Sequence, residues 1–171
     1  MKFPLYRLPA PTDAVDQGDI IDGCPVFLLA SFDLNDLETP EINVPLARVL
    51  VLTQTCDLAN QKATHTVCAV IHEAQRLVEQ QTLTVAAIRG HVRAGRVFGW
   101  YYLPKSTALD LPEMIVDFRQ LHTVRMDLLI ALCQRGQRKA RLQPFYREHL
   151  AKHFADTYSR IGLPEPYETE P

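Results

Sequence analysis

The sequence predicts an α+β fold, a strongly curved antiparallel sheet or barrel followed by helices. Three observations carry this. Short apolar runs of strand length dominate residues 18 to 124, one segment of helical character interrupts them at 73 to 91, and the apolar period lengthens to that of a helix after residue 126. A parallel sheet would alternate strand and helix throughout, whereas strands grouped ahead of helices argue for antiparallel pairing. At 171 residues the chain suits a single domain, 1–171, with its barrel in 18–124 and its helices in 126–162.

In chain order, the first twelve residues contain Pro4, Pro9 and Pro11 and read as an extended arm. Gln17 to Ile21 opens the first ordered segment, Gly23-Cys24-Pro25 punctuates it, and Val26 to Ala30 is an apolar run of strand length. Residues 31–45, SFDLNDLETPEINVP, show little periodicity and read as an acidic loop. Ala47 to Thr53 is the clearest strand, rich in Val and Leu. Thr66 to Ile71 is another, with Val67, Ala69 and Ile71 on one face and Cys68, Val70 and His72 on the other.

The segment 73–91 places Leu77, Leu83, Ala87 and Ile88 among polar positions, as a helix restarting near Thr82 would. Phe98 to Leu103 is an aromatic strand stopped by Pro104, and Met114 to Phe118 and Gln120 to Val124 form a pair of extended runs. Met126 to Gln134 reads as a helix. Gln143 to Ile161 reads as a second, with Tyr146, Leu150, Phe154, Tyr158 and Ile161 in steps of four, four, four and three, ended by Gly162 and Pro164.

The net charge of -2 implies no partner, but its layout is polar. Ala10 to Asn60 holds nine acids against Arg48, and Gln134 to Arg160 holds seven bases against two acids. Such a chain suits a protein partner, or self-association, through its acidic and basic faces. Arg135, Arg138, Lys139 and Arg141 are candidate phosphate contacts should the basic face meet nucleic acid, and the alternative is the solvated side of a helix pair. No apolar run is long enough to span a membrane and the N-terminus lacks a signal-peptide core, so a cytoplasmic protein with reduced thiols is expected.

The stretch Thr53-Gln54-Thr55-Cys56-Asp57 stands where a buried strand breaks into a turn. Three chemistries compete for it. A nucleophilic thiol would need a base such as His65, His72, His91 or His122, and Asp57 beside it disfavours the thiolate. Cys56, His65, Cys68 and His72 are zinc-type ligands, yet they lack knuckle spacing, so no metal or other cofactor is expected. The plain structural reading makes Cys56 a small core residue, with Asp57 and Asn60 capping the turn. Strand exits are common places for sites, and the candidate binding locus is therefore Thr53, Gln54, Thr55, Cys56 and Asp57. Trp100 and Tyr102 are expected beside it as an aromatic wall.

Two resemblances bear on function. Leu52-Thr53-Gln54-Thr55-Cys56-Asp57-Leu58, with Phe154 and the ending Arg160-Ile161-Gly162-Leu163-Pro164, resembles uncharacterised bacterial proteins with a Ser/Thr-Gln-x-Cys-Asp motif. Gly18-Asp19-Ile20, then Arg48 to Thr53, Asn60 and the strand Thr66 to Ile71, is similar to the opening of PemK/MazF-like toxins, SH3-like barrels that cut RNA. That second resemblance implies a small antiparallel SH3-like barrel. Those toxins use a basic residue in the loop after the first strand, and residues 18 to 47 here contain no Lys or Arg. The expectation is a cytoplasmic binding or regulatory module of a bacterial defence or toxin–antitoxin-like system, which recognises its ligand at the strand-end locus. The alternative is an RNA-cleaving endoribonuclease with Thr53 and Gln54 at its site and Arg48 recruited to it.

Overall fold

The computed structural model describes residues 4–59 and 63–159. The N-terminal arm leads into β1, Tyr6–Arg7, and then β2, Asp19–Pro25. An arm of two strands follows, β3 (Leu28–Asp33) and β4 (Asp36–Asn43), and the chain returns to the body through β5, Leu46–Val51. A short helix α1, Thr55–Ala59, leads to β6, His65–Glu73. The helical excursion comprises α2 (Ala74–Glu79), α3 (Val85–Ala87) and a π-helical turn Ile88–Val92. β7 (Trp100–Leu103), β8 (Met114–Arg125), α4 (Met126–Gln134), β9 (Arg138–Leu142) and α5 (Tyr146–Tyr158) complete the described chain.

The molecule is α+β, with seven strands in one antiparallel sheet of order β1-β9-β2-β5-β6-β8-β7. The expected barrel is an open sheet: β1 and β7 are its edges and share no ladder. The curl is nevertheless strong. One buried cluster draws on all seven strands, including Tyr6, Ile20, Leu50, Ile71, Leu103, Phe118 and Leu142. The edges meet through a side chain, with the Tyr6 hydroxyl donating to the Pro104 carbonyl at 2.8 Å. A bulge helps to bend the sheet, because Ala69 faces Leu121 while Val70 faces Asp117, leaving residues 118–120 without an opposite on β6.

Helices seal the two faces. Leu150 of α5 enters the concave cluster, and α5 is tied down by the Tyr158 hydroxyl on the Phe118 carbonyl and by His153 Nε2 on the Trp100 carbonyl at 3.2 Å. On the convex side Leu129 and Cys133 of α4 pack against Ile21, Val49, Val51 and Cys68. The excursion covers Trp100 and Ile115 with Ala74, Leu77, Ile88 and Val92. No helix among the described residues is long and apolar enough to cross a membrane.

Three expectations need correction. The acidic loop 31–45 is mostly the β3–β4 hairpin, whose residues are exposed on both faces and so carry no alternation to read. The region 126–162, expected to hold only helices, contains a strand between its two helices: Gly136, at φ 74°, turns the chain after α4 and Arg138–Leu142 pairs with β2 and β1. The two runs at 114–118 and 120–124 are one bulged strand. Of the second helix, Tyr146–Tyr158 is present, and its expected end at Ile161, Gly162 and Pro164 lies outside the described residues, as does Asn60.

Candidate functional site

At the exit of β5 each residue of the Thr-Gln-Thr-Cys-Asp stretch has a different task. Leu52 N–H donates to the Val67 carbonyl at 2.9 Å, and Val67 N–H donates to Thr53 Oγ1 at 2.8 Å. The Thr53 hydroxyl thus extends the β5–β6 ladder by one rung after the strand backbone has turned away. The Gln54 carbonyl accepts from Asp57 N–H and Leu58 N–H, which starts α1. With the helix set, positions three apart share a face. Thr55 and Leu58 turn inward, Leu58 into the convex core, while Cys56 and Asp57 are exposed. Cys56 Sγ lies 3.7 Å from Gln54 Oε1 and 3.9 Å from Asp57 Oδ1.

Inward of Thr55 runs a groove of about 1160 Å3. Its walls come from three segments remote in sequence: Thr55 and Leu58 of α1, Met126, Ile130 and Cys133 of α4, and Pro11 to Asp16 of the N-terminal segment, with Val15 contributing to the convex core. The rim is polar, with Thr64, His65, Arg125 and Asp127. The Arg125 guanidinium hydrogen-bonds Asp127 and holds its carboxyl below the usual carboxylate range. Thr55 Oγ1 is buried and has no hydrogen-bond partner among the described residues, so a polar atom stands unsatisfied in the groove wall.

The N-terminal wall is held in place by buried charge. Arg138 donates to the Ala10, Ala14 and Asp13 carbonyls and to Asp19 Oδ2, and Arg141 donates to Ala14 O and to both oxygens of Asp19. Asp19 is fully buried, and the two guanidinium side chains are 1% and 6% exposed. Arg147 closes on Asp16 at 2.9 Å. On the other side of the strand exit, Gln17 Nε2 donates to the Leu52 carbonyl and Gly18 N–H to that of Val51, both at 2.9 Å.

These contacts correct the phosphate-contact expectation for Arg138 and Arg141, whose guanidinium groups are enclosed and engaged within the chain. Arg135 is exposed, and Lys139 is half-buried with Nζ donating to the Gly136 carbonyl at 3.2 Å. The acidic early segment and the basic late segment therefore meet inside one molecule.

The expected aromatic wall is elsewhere. β7 pairs only with Met114 to Asp117 of β8, whereas Thr53 is bonded to Val67, whose opposite on β8 is Thr123. Trp100 is buried beneath the excursion with the Arg119 guanidinium 3.9 Å from its ring centre, and the Tyr102 hydroxyl donates to Glu113 at 2.7 Å. The strands do not bring either ring to the motif. Cys68 is buried in the convex core, and His65 and His72 lie near opposite ends of β6; no group of three or more potential metal ligands occurs among the described residues.

Val15, Met126 and Ile130 are groove residues that sequence reading misses. The signal for Met126 and Ile130 is the amphipathic character of 126–134, which marks a buried face but not a groove beside it, and Val15 carries no such signal. Scanned against protein-family models the chain matches none, and a search of curated proteins finds no match.

Proposed function

We propose that the chain is a binding or regulatory module and that the groove beside Thr55 takes its ligand. One observation carries the reading: an apolar trough built by Leu58, Met126 and Ile130 is bordered by orienting polar groups, and one of them, Thr55 Oγ1, is buried without a partner. An apolar floor with a few convergent polar groups is the usual composition of a ligand site. The volume suits an elongated apolar molecule or a short polypeptide segment, with a polar group set against Thr55 and His65. The similarity of Gly18-Asp19-Ile20 and Arg48 to Thr53 to the opening of PemK/MazF-like toxins supports a place for such a module in a defence or toxin–antitoxin-like system.

The RNA-cleaving reading asks for a hydroxyl and a guanidinium at one place. Thr53 Oγ1 is engaged by Val67 N–H, and Arg48 stands five residues back along the chain, roughly 16 Å at a strand's rise, forked onto Asp22. With no free hydroxyl and guanidinium brought together at the strand end, the arrangement supports recognition ahead of cleavage.

Methyl-labelled protein titrated with a fragment library of aliphatic and aromatic amides tests the groove. Shifts are expected at the methyls of Val15, Leu58, Met126 and Ile130, with Val116 of the concave core as the unmoved control. They should weaken at least about tenfold in Thr55→Val, which removes a hydrogen bond worth about 1 kcal/mol or more when one partner stays buried. Shifts confined to other surfaces, or none, would remove the groove as the ligand site.

A further inference from the structure

The β3–β4 arm stands off the body with its apolar side chains in solvent. Leu29, Phe32, Leu34 and Leu37 are 61%, 59%, 77% and 63% exposed, and Phe27, Ile42 and Leu46 at or beside the arm are more than half exposed. The largest apolar patch of an ordinary monomer covers roughly 300–600 Å2, and larger ones mark interaction sites. Seven large, mostly bare side chains on or beside one hairpin form the kind of exposed apolar surface that marks an interaction site.

Charge then selects the occupant. From Leu8 to Ala47 the chain has no Lys or Arg. Asp16, Asp19 and Asp22 are ion-paired by Arg147, Arg141, Arg138 and Arg48. The carboxylates of Asp33, Asp36 and Glu41 accept only from short neutral side chains or backbone N–H groups, and neither they nor Glu38 is in an ion pair among the described residues. The mirror image of this imbalance lies on the excursion. From Gln80 to Leu109 there is no acid, and Arg89, Arg93 and Arg96 are exposed and in no ion pair among the described residues. Beside them Val85 and Phe98 are 46% and 42% exposed. An acidic apolar arm and a basic apolar surface, each unmatched in its own molecule, are complementary in both respects.

We infer that the chain forms a two-fold dimer in which the β3–β4 arm of each copy lies on the Arg89–Arg96 surface of the other. The root of the arm and the start of the excursion flank a common groove, lined by Leu28 and Leu46 from one side and by Arg76 of α2 from the other, so the arm rises beside the element that begins the excursion. Pairing arm to arm through their open strand edges is the competing arrangement. It sets four carboxylates against four, and the charge distribution selects against it.

Sedimentation equilibrium of the full chain, with circular dichroism to confirm folding of each variant, tests this. The wild type is expected to be a dimer whose dissociation constant rises with salt. Phe32→Asp with Leu34→Asp should give a monomer. Glu38→Arg with Glu41→Arg, and separately Arg93→Glu with Arg96→Glu, should each raise the dissociation constant at least about tenfold, the equivalent of about 1.4 kcal/mol. All four reversals in one chain should restore the dimer, because the charges then match again in swapped positions. A wild type that stays monomeric at every soluble concentration overturns the inference, as does a dimer indifferent to the arm substitutions. Reversals that fail to rescue one another, or a monomer that binds only a different, basic protein, overturn it too.

Discussion

Asp19→Asn is the sharpest test of how the groove's N-terminal wall is held. The wild-type carboxylate is fully buried, and its oxygens accept from Arg141 Nη2 at 2.7 Å, from Arg138 Nη1 at 3.0 Å and from Asp16 N–H at 3.0 Å. The amide keeps the shape, removes the negative charge and replaces one acceptor oxygen by a donor aimed at a guanidinium. Two arginines are then left enclosed without their counter-charge. Removing one member of a buried ion pair destabilises by about 3–5 kcal/mol, because the remaining charge stays desolvated. Against a total stability of about 5–15 kcal/mol this is a large fraction. At about 2–4 °C per kcal/mol for a chain of this size, the midpoint should fall by roughly 6–20 °C. Urea unfolding followed by circular dichroism reads the free energy directly, and Asp156→Asn, which breaks only the exposed Lys152 pair, serves as the control at about 1 kcal/mol or less. A loss below about 1 kcal/mol for Asp19→Asn would mean that water reaches the triad and that the carbonyls of Ala10, Asp13 and Ala14 suffice to anchor Arg138.

Two further outcomes concern titration and thiol chemistry. Burial lowers the pKa of His72 and of His153 below the ordinary value of 6.5, so between the lowered and ordinary values the unfolded chain binds more protons. Stability is therefore complete above about pH 6.5 and falls as the pH drops below it, and His72→Gln should make that fall shallower; an unchanged slope in urea unfolding at pH 5 to 7 would show His72 to be solvated. Iodoacetamide should modify exposed Cys56 in the native protein, and Cys24, Cys68 and Cys133 only on unfolding, because all three are buried and burial pushes the Cys24 thiol up to about 11 and the other two upward as well. Peptide mapping that finds Cys24 or Cys68 labelled under native conditions would contradict the core packing.

What the sequence showed and hid follows from where each pattern is read. β5 and β6 were legible because both their faces are covered: Val49 and Val51 face α4 while Leu50 faces the concave cluster, so the run is apolar throughout. α4 was legible from its single stripe. β9 was not, since three of its five residues are basic, and a basic strand is indistinguishable from a solvated helix until the carboxylate it buries is known to lie opposite. That carboxylate, Asp19, is 119 residues from Arg138, and no local window contains both. The Trp100 placement failed for the same reason: a register between strands is long-range information, and β7 docks on the near half of β8.

Of the candidate locus Thr53 to Asp57, only Thr55 lines the groove. A hydrophilic run after a buried strand marks an exit, and that was enough to single out Thr53 to Asp57. The division of labour among these residues depends on the helix that begins at Thr55, for only its turn sends Thr55 and Leu58 inward and Cys56 and Asp57 out. The thiol–carboxylate pair that looks like chemistry in the sequence is thus the solvent face of α1, and the residue of the stretch that lines the groove is the plainer threonine before it. The buried charges serve the same end from the opposite wall. Asp19, Arg138 and Arg141 fix Pro11 to Asp16 against the body, so a groove whose walls come from both ends of the chain keeps its shape without a ligand. For the ligand proposed to enter the groove, a wall ordered in advance need not be ordered on binding.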